Sequence, residues 1–247
     1  MCRMLAVVSR TSIPPDLLLA FRELADTGKS FRDFGCPQPN PKPGHPDGWG
    51  IACVGQAGEF YARGATKASA DPKYEDAVRR LARECSPPLL LLAHLRRASV
   101  RDSIQEQFAH PFRRELDGRV VFFEHNGDID GYGLRGGRID SQEIMDRFLT
   151  ALGAEPRPVP EFKQAIATAK EGLDREWGRK VESYTFLMLD GDRVVAHRDA
   201  RTCVPYYTLH LTETPDMRIV CSEVLGVLPG RWRMLRNGEF LELRPPT

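Results

Sequence analysis

Residues 89–93 form an unbroken apolar run, Leu-Leu-Leu-Leu-Ala, with no polar alternation inside it. A run of that kind reads as a strand covered on both faces. It therefore demands cover from two directions, and the chain has to supply it.

The remaining pattern predicts many short strands and a few amphipathic helices. Strands are expected over 4–8, 49–54, 59–63, 119–124, 183–189, 193–197, 206–211 and 217–221. The segments 49–54 and 59–63 read as a hairpin through Gly55 and Gly58, and 183–189 and 193–197 flank a Gly191-Asp192 turn. Asn237-Gly238 is a hairpin signal joining 232–236 to 240–243. Helices are expected over 15–25, from the N-cap pair Asp71-Pro72 to about 85, from 140 to about 153, and after the Pro-rich break at 156–160 to about 177. Asp140 and Glu143 have capping-box spacing. Residues 27–47 read as a long loop, either functional or mobile. The pattern implies an α+β fold in which helices cover stacked sheets, with 1–247 as a single domain.

Charge excludes some partners. Lys+Arg number 35 against 34 Asp+Glu, a net charge of +1, so nothing favours nucleic acid or an acidic membrane surface. No run reaches membrane-spanning length, and residues 4–8 are too short for a signal-peptide core. The six cysteines are scattered without a C-x-x-C pair. That usage reads as cytoplasmic with reduced thiols.

The second residue is Cys2. Removal of Met1 would give it a free α-amine on the same Cα as the thiol, and an N-terminal nucleophile can use its own amine as base. Three polar clusters lie at expected element ends. Arg96, Arg97 and Ser99 follow the 89–93 strand, where a guanidinium can grip a carboxylate or simply stand solvated. His125, Asn126 and Gly127 follow the 119–124 strand; the Asn amide and Gly N–H can form an oxyanion hole or an ordinary turn. Asp140 can receive an ammonium group while also capping its helix. The six histidines lack zinc-site spacing, so no metal and no cofactor is expected.

In order and spacing, these pieces resemble the glutaminase domain of class II glutamine amidotransferases, a branch of the N-terminal nucleophile hydrolases. The matching segments are Met1-Cys2-Arg3, Asp47-Gly48-Trp49-Gly50-Ile51-Ala52, Ala93-His94-Leu95-Arg96-Arg97-Ala98-Ser99, Ala109-His110-Pro111-Phe112, Phe123-Glu124-His125-Asn126-Gly127 and Asp140-Ser141, with Ser222-Glu223 later. The stand-alone bacterial members look closest. The resemblance implies a four-layer αββα sandwich of two antiparallel sheets. It implies that Cys2 attacks the side-chain amide of glutamine, with Asn126 and Gly127 holding the oxyanion. Arg96, Ser99, Asp140 and His125 would then be the substrate contacts. Arg97 stands where fused enzymes often have Trp, which leaves room for a different γ-substituent.

Two further readings stay open beside glutamine hydrolysis with ammonia passed to a separate synthetase or acceptor subunit. One is hydrolysis of a γ-glutamyl conjugate with no ammonia transfer. The other is a non-catalytic ligand-binding or regulatory subunit of the same fold; a histidine-based metal hydrolase ranks behind it.

Overall fold

The computed structural model describes residues 2–37, 44–228 and 230–246. The expected removal of Met1 and the centre of the 27–47 loop, residues 38–43, lie outside the described residues.

Twelve strands are described: β1 (Arg3–Ser9), β2 (Trp49–Gly55), β3 (Gly58–Gly64), β4 (Leu89–Leu95), β5 (Phe112–Leu116), β6 (Arg119–Asn126), β7 (Thr185–Asp190), β8 (Arg193–His197), β9 (His210–Glu213), β10 (Met217–Cys221), β11 (Arg233–Met234) and β12 (Phe240–Leu243). They form a seven-stranded sheet, β11-β9-β10-β1-β4-β2-β3, and a five-stranded sheet, β12-β8-β7-β6-β5. Neighbouring strands are antiparallel. The helices are α1 (Pro15–Arg22), α2 (Leu24–Thr27), α3 (Pro72–Glu84), α4 (Asp140–Leu152) and α5 (Val159–Trp177).

The period-two alternation of β4 explains the layering. Leu91, Ala93 and Leu95 pack under α1 and α3 with Phe21, Tyr74 and Leu81. Leu90 and Leu92 point the other way, onto Phe122 and Leu187 of the second sheet. The far face of that sheet, through Phe123 and Phe186, is covered by Phe148 of α4 and Phe162 of α5. The order is helix, sheet, sheet, helix, and β4 is buried along its whole length.

Helix α3 shows how little local signal this requires. Tyr74, Ala77, Val78 and Leu81 fall at helical spacing and are its buried face. Asp71 caps it by accepting from the Lys73 N–H, with Pro72 in the first turn. Each large apolar side chain so buried contributes roughly 1.5–3 kcal/mol.

Several expectations change. The helix over 15–25 is two helices, broken at Glu23. Residues 232–236 and 240–243 do not pair with each other: β11 joins β9 in one sheet and β12 joins β8 in the other. Asn237 is the cause, because its amide accepts from Ala200 N–H at 2.7 Å and donates to Ala200 O at 2.9 Å. Tyr206 and Tyr207 precede β9 and pack with Phe31 in a small aromatic cluster. Asp140 is the first helical residue rather than the cap, and Gln142 instead of Glu143 reaches back to the Ile139 N–H. The thiols are not all reduced: Cys36 and Cys203, 167 residues apart in sequence, form a disulfide. Widely spaced cysteines hid it, since only the tertiary fold brings the 27–47 segment beside the turn after β8.

Candidate active site

The starts and ends of three strands meet here: Cys2 just before β1 lies against Asn126 at the end of β6 and against Arg97 just after β4. Phe122 of β6 packs in the inter-sheet layer, so alternation sends Glu124 and Asn126 into it as well. The Cys2 backbone N–H donates to Asn126 Oδ1 at 2.8 Å. The Cys2 thiol lies 3.9 Å from the Arg97 backbone oxygen. Asn126 Nδ2 is buried and has no partner among the described residues. Gly127 follows at once, and only glycine fits: a Cβ there would lie 2.4 Å from Ser183 O and 2.5 Å from His125 Nε2.

The start of β1 is held by its own neighbours. Ser222 Oγ accepts from the Met4 N–H at 2.8 Å. Arg3 pairs with Glu223, donates to Cys2 O at 3.0 Å and lies over the Tyr206 ring at 4.5 Å. The loop carrying Arg96 is held by the segment before β2. Arg96 N–H donates to Gly48 O at 2.8 Å, and Ala98 N–H donates to Asp47 Oδ2 at 2.9 Å. Close approach again demands glycine at Gly50, where a Cβ would meet His110 O at 2.1 Å.

Arg96, Ser99 and Asp140 line one cavity of about 280 Å³, with Ser103, Asp128 and Tyr132. That is near the small end of ligand cavities, which begin at roughly 300 Å³. Arg96 is fixed at its wall by donating to Ser103 O at 2.7 Å and Ser103 Oγ at 2.8 Å. Asp140 is fixed opposite by Ser141 N–H at 2.7 Å and Ile129 N–H at 2.9 Å. Ser99 Oγ donates to Asp128 Oδ1 at 2.8 Å. A second cavity of about 430 Å³ adjoins at Ser99, lined also by Pro46, Asp47, Arg97 and Arg101.

His125 is not among these wall residues. Its ring points toward α4, with Nδ1 3.0 Å from Ser141 Oγ and Nε2 2.9 Å from Ser183 O. The ring thus lies between the start of α4 and the segment before β7.

Electrostatics distinguish the two sides of the site. Burial opposes ionisation of the Cys2 thiol, yet the terminal charge carried by residue 1 and the charge and hydrogen bond of His94 take it well below the ordinary thiol range. Burial, reinforced by the Cys2 charge, pushes Glu124 well above the carboxylate range. Burial and the neighbouring Asp140 raise Asp128 to about 6. Asp128, Glu124 and His94 escaped the sequence reading as site residues, although Glu124 and Asp128 bracket the His125-Asn126-Gly127 segment. No group of three or more His, Cys, Asp or Glu among the described residues is arranged to hold a metal. No described helix is long and apolar enough to cross a membrane.

The family described as glutamine amidotransferases class-II matches residues 1–226. The uncharacterized protein MJ1515 of Methanocaldococcus jannaschii is 29% identical over 175 residues, 64% of this chain and 44% of that protein. The chain spans less than half the length of the curated relatives it matches. Among solved structures, a class-II glutamine aminotransferase domain protein of Silicibacter pomeroyi is similar at 20% identity and TM-score 0.57, over 98% of this chain and 95% of that one. The glutamine phosphoribosylpyrophosphate amidotransferase of B. subtilis is similar at 13% identity and TM-score 0.62, over 98% of this chain and 47% of that one. These likenesses show the fold. The chain belongs to the class II glutamine amidotransferases.

Proposed function

We propose that this class II glutamine amidotransferase hydrolyses the side-chain amide of glutamine through a thioester on Cys2, with Met1 removed. The α-amine takes the thiol proton, and sulfur attacks the amide carbon. Asn126 Nδ2 and the Gly127 N–H hold the oxyanion. The proton passes to the leaving nitrogen, ammonia departs, and water cleaves the thioester to glutamate. Arg96 meets the α-carboxylate and Asp140 the α-ammonium. The observation that carries this reading is the Cys2–Asn126 contact, with the unpartnered Nδ2 of Asn126 beside it. An amide donor buried without an acceptor suits a site that acquires one only during reaction. Release of glutamate and ammonia from glutamine, abolished in Cys2→Ala, tests it; equal release by that variant contradicts it. Ammonia transfer to an acceptor on a separate subunit belongs to the same proposal.

A second reading keeps the chemistry and changes the leaving group. Ammonia needs no pocket, whereas the adjoining 430 Å³ cavity has room for the amine part of a γ-glutamyl conjugate. The ratio of kcat/KM for glutamine and for a γ-glutamyl dipeptide separates the two.

A further inference from the structure

His94 pairs with Met4 of β1 and Gly50 of β2. Leu90 and Leu92 on the same strand face the inter-sheet layer, so the imidazole enters it too. Met4 packs in that layer, and Cys2 lies two residues before it, just ahead of β1. Thiol and imidazole therefore lie on one side of the seven-stranded sheet. Across the layer, His94 Nε2 is 3.4 Å from His125 O. A carbonyl can only accept, so the hydrogen facing it sits on Nε2, and Nδ1 is the ring atom able to accept. Nδ1 is buried, and the His94 side chain is in hydrogen-bond contact with the Cys2 thiol.

Other polar atoms near the nucleophile lack a partner among the described residues: both ring nitrogens of His110 and Asn126 Nδ2. Proteins leave few polar atoms in this state. Their concentration beside a thiol points to chemistry rather than packing.

We propose that His94 Nδ1 is a second acceptor for the Cys2 thiol proton, alongside the α-amine. This rests on Cys2 being the nucleophile. The S–H bond breaks with its electron pair left on sulfur, and the proton forms an N–H bond at Nδ1. The result is a thiolate beside an imidazolium whose Nε2–H still faces His125 O. The titratable groups set against His94 are the Cys2 thiol, the His110 ring stacked at 4.4 Å and the His125 imidazole. Burial pushes the Glu124 carboxyl well above its ordinary range and the His110 imidazole well below its own.

The test is the pH profile of Cys2 alkylation by iodoacetamide, followed by peptide mass spectrometry in wild type and His94→Gln. Both proteins are measured with Met1 retained and with Met1 removed. In both forms His94→Gln should slow alkylation at neutral pH about tenfold and move the midpoint up by about one unit. An unchanged profile overturns the proposal, and so does an effect confined to the Met1-free form. If His94→Gln does not fold, His94→Asn is read in the same way. Failure of the glutaminase reading itself shows separately, as absence of glutamate release.

Discussion

Cys2, just ahead of β1, and Asn126, at the end of β6, stand 124 positions apart in sequence, yet the backbone N–H of one meets the side-chain oxygen of the other at 2.8 Å. That single bond ties the nucleophile's backbone to the amide whose nitrogen remains unpartnered. It sets the Asn126 orientation as well, because the oxygen is committed and the N–H₂ must face the reacting side.

Asn126→Ala should therefore act on kcat. Loss of one oxyanion donor costs about 10²–10³ in rate. Steady-state kinetics on glutamine should show that fall with KM changed little. A rise in KM alone would place Asn126 in ground-state binding instead.

Gly127→Ala inserts a methyl group 2.4 Å from Ser183 O, a backbone atom that cannot swing aside. Overpacking of this kind costs about 1–3 kcal/mol. Urea denaturation should report the loss, and the displaced Asp128 and His125 should bring activity down with it.

Arg96→Lys keeps the charge and discards the planar fork that spans Ser103 O and Oγ. KM for glutamine should rise by about tenfold or more while kcat holds. Glutamine analogues without the α-carboxylate should show no such penalty.

Glu124 makes stability depend on pH in an unusual direction. Its folded-state pKa lies well above the unfolded value of about 4.3, first because of burial and then because of Cys2. Between those two values the folded chain holds a proton that the unfolded chain has lost. The stabilisation is thus full below about pH 4.3 and is lost as pH rises toward the folded pKa, by up to about 1.4 kcal/mol per unit. Glu124→Gln should grow more stable relative to wild type as pH is raised from 4.5 to 7. Chemical denaturation across that range measures the difference; a constant offset would contradict it.

The core was legible in the sequence wherever one period dominated. The 89–93 run announced a strand and the Asp71-Pro72 pair a helix start, and both formed. Local signals failed where a side chain had a stronger tertiary partner, as Asn237 does with Ala200. Strand β5 escaped because 112–116 is charged and only partly buried, although Asp117 and Gly118, both at positive φ, make the tight turn into β6. The residues of the candidate site were readable as motifs strung along the chain. What no spacing revealed was their facing: that His94 and Glu124 point into the layer with Cys2, while His125, next to Asn126, points out of it.

The central claim is that Cys2, as the amino terminus, is the nucleophile. Incubation with the glutamine-like electrophile 6-diazo-5-oxonorleucine, followed by intact and peptide mass spectrometry, tests it most directly. One adduct per chain, on Cys2 of a peptide lacking Met1, is the expected result. Retained Met1, or label spread over Cys53, Cys85 and Cys221, would contradict it.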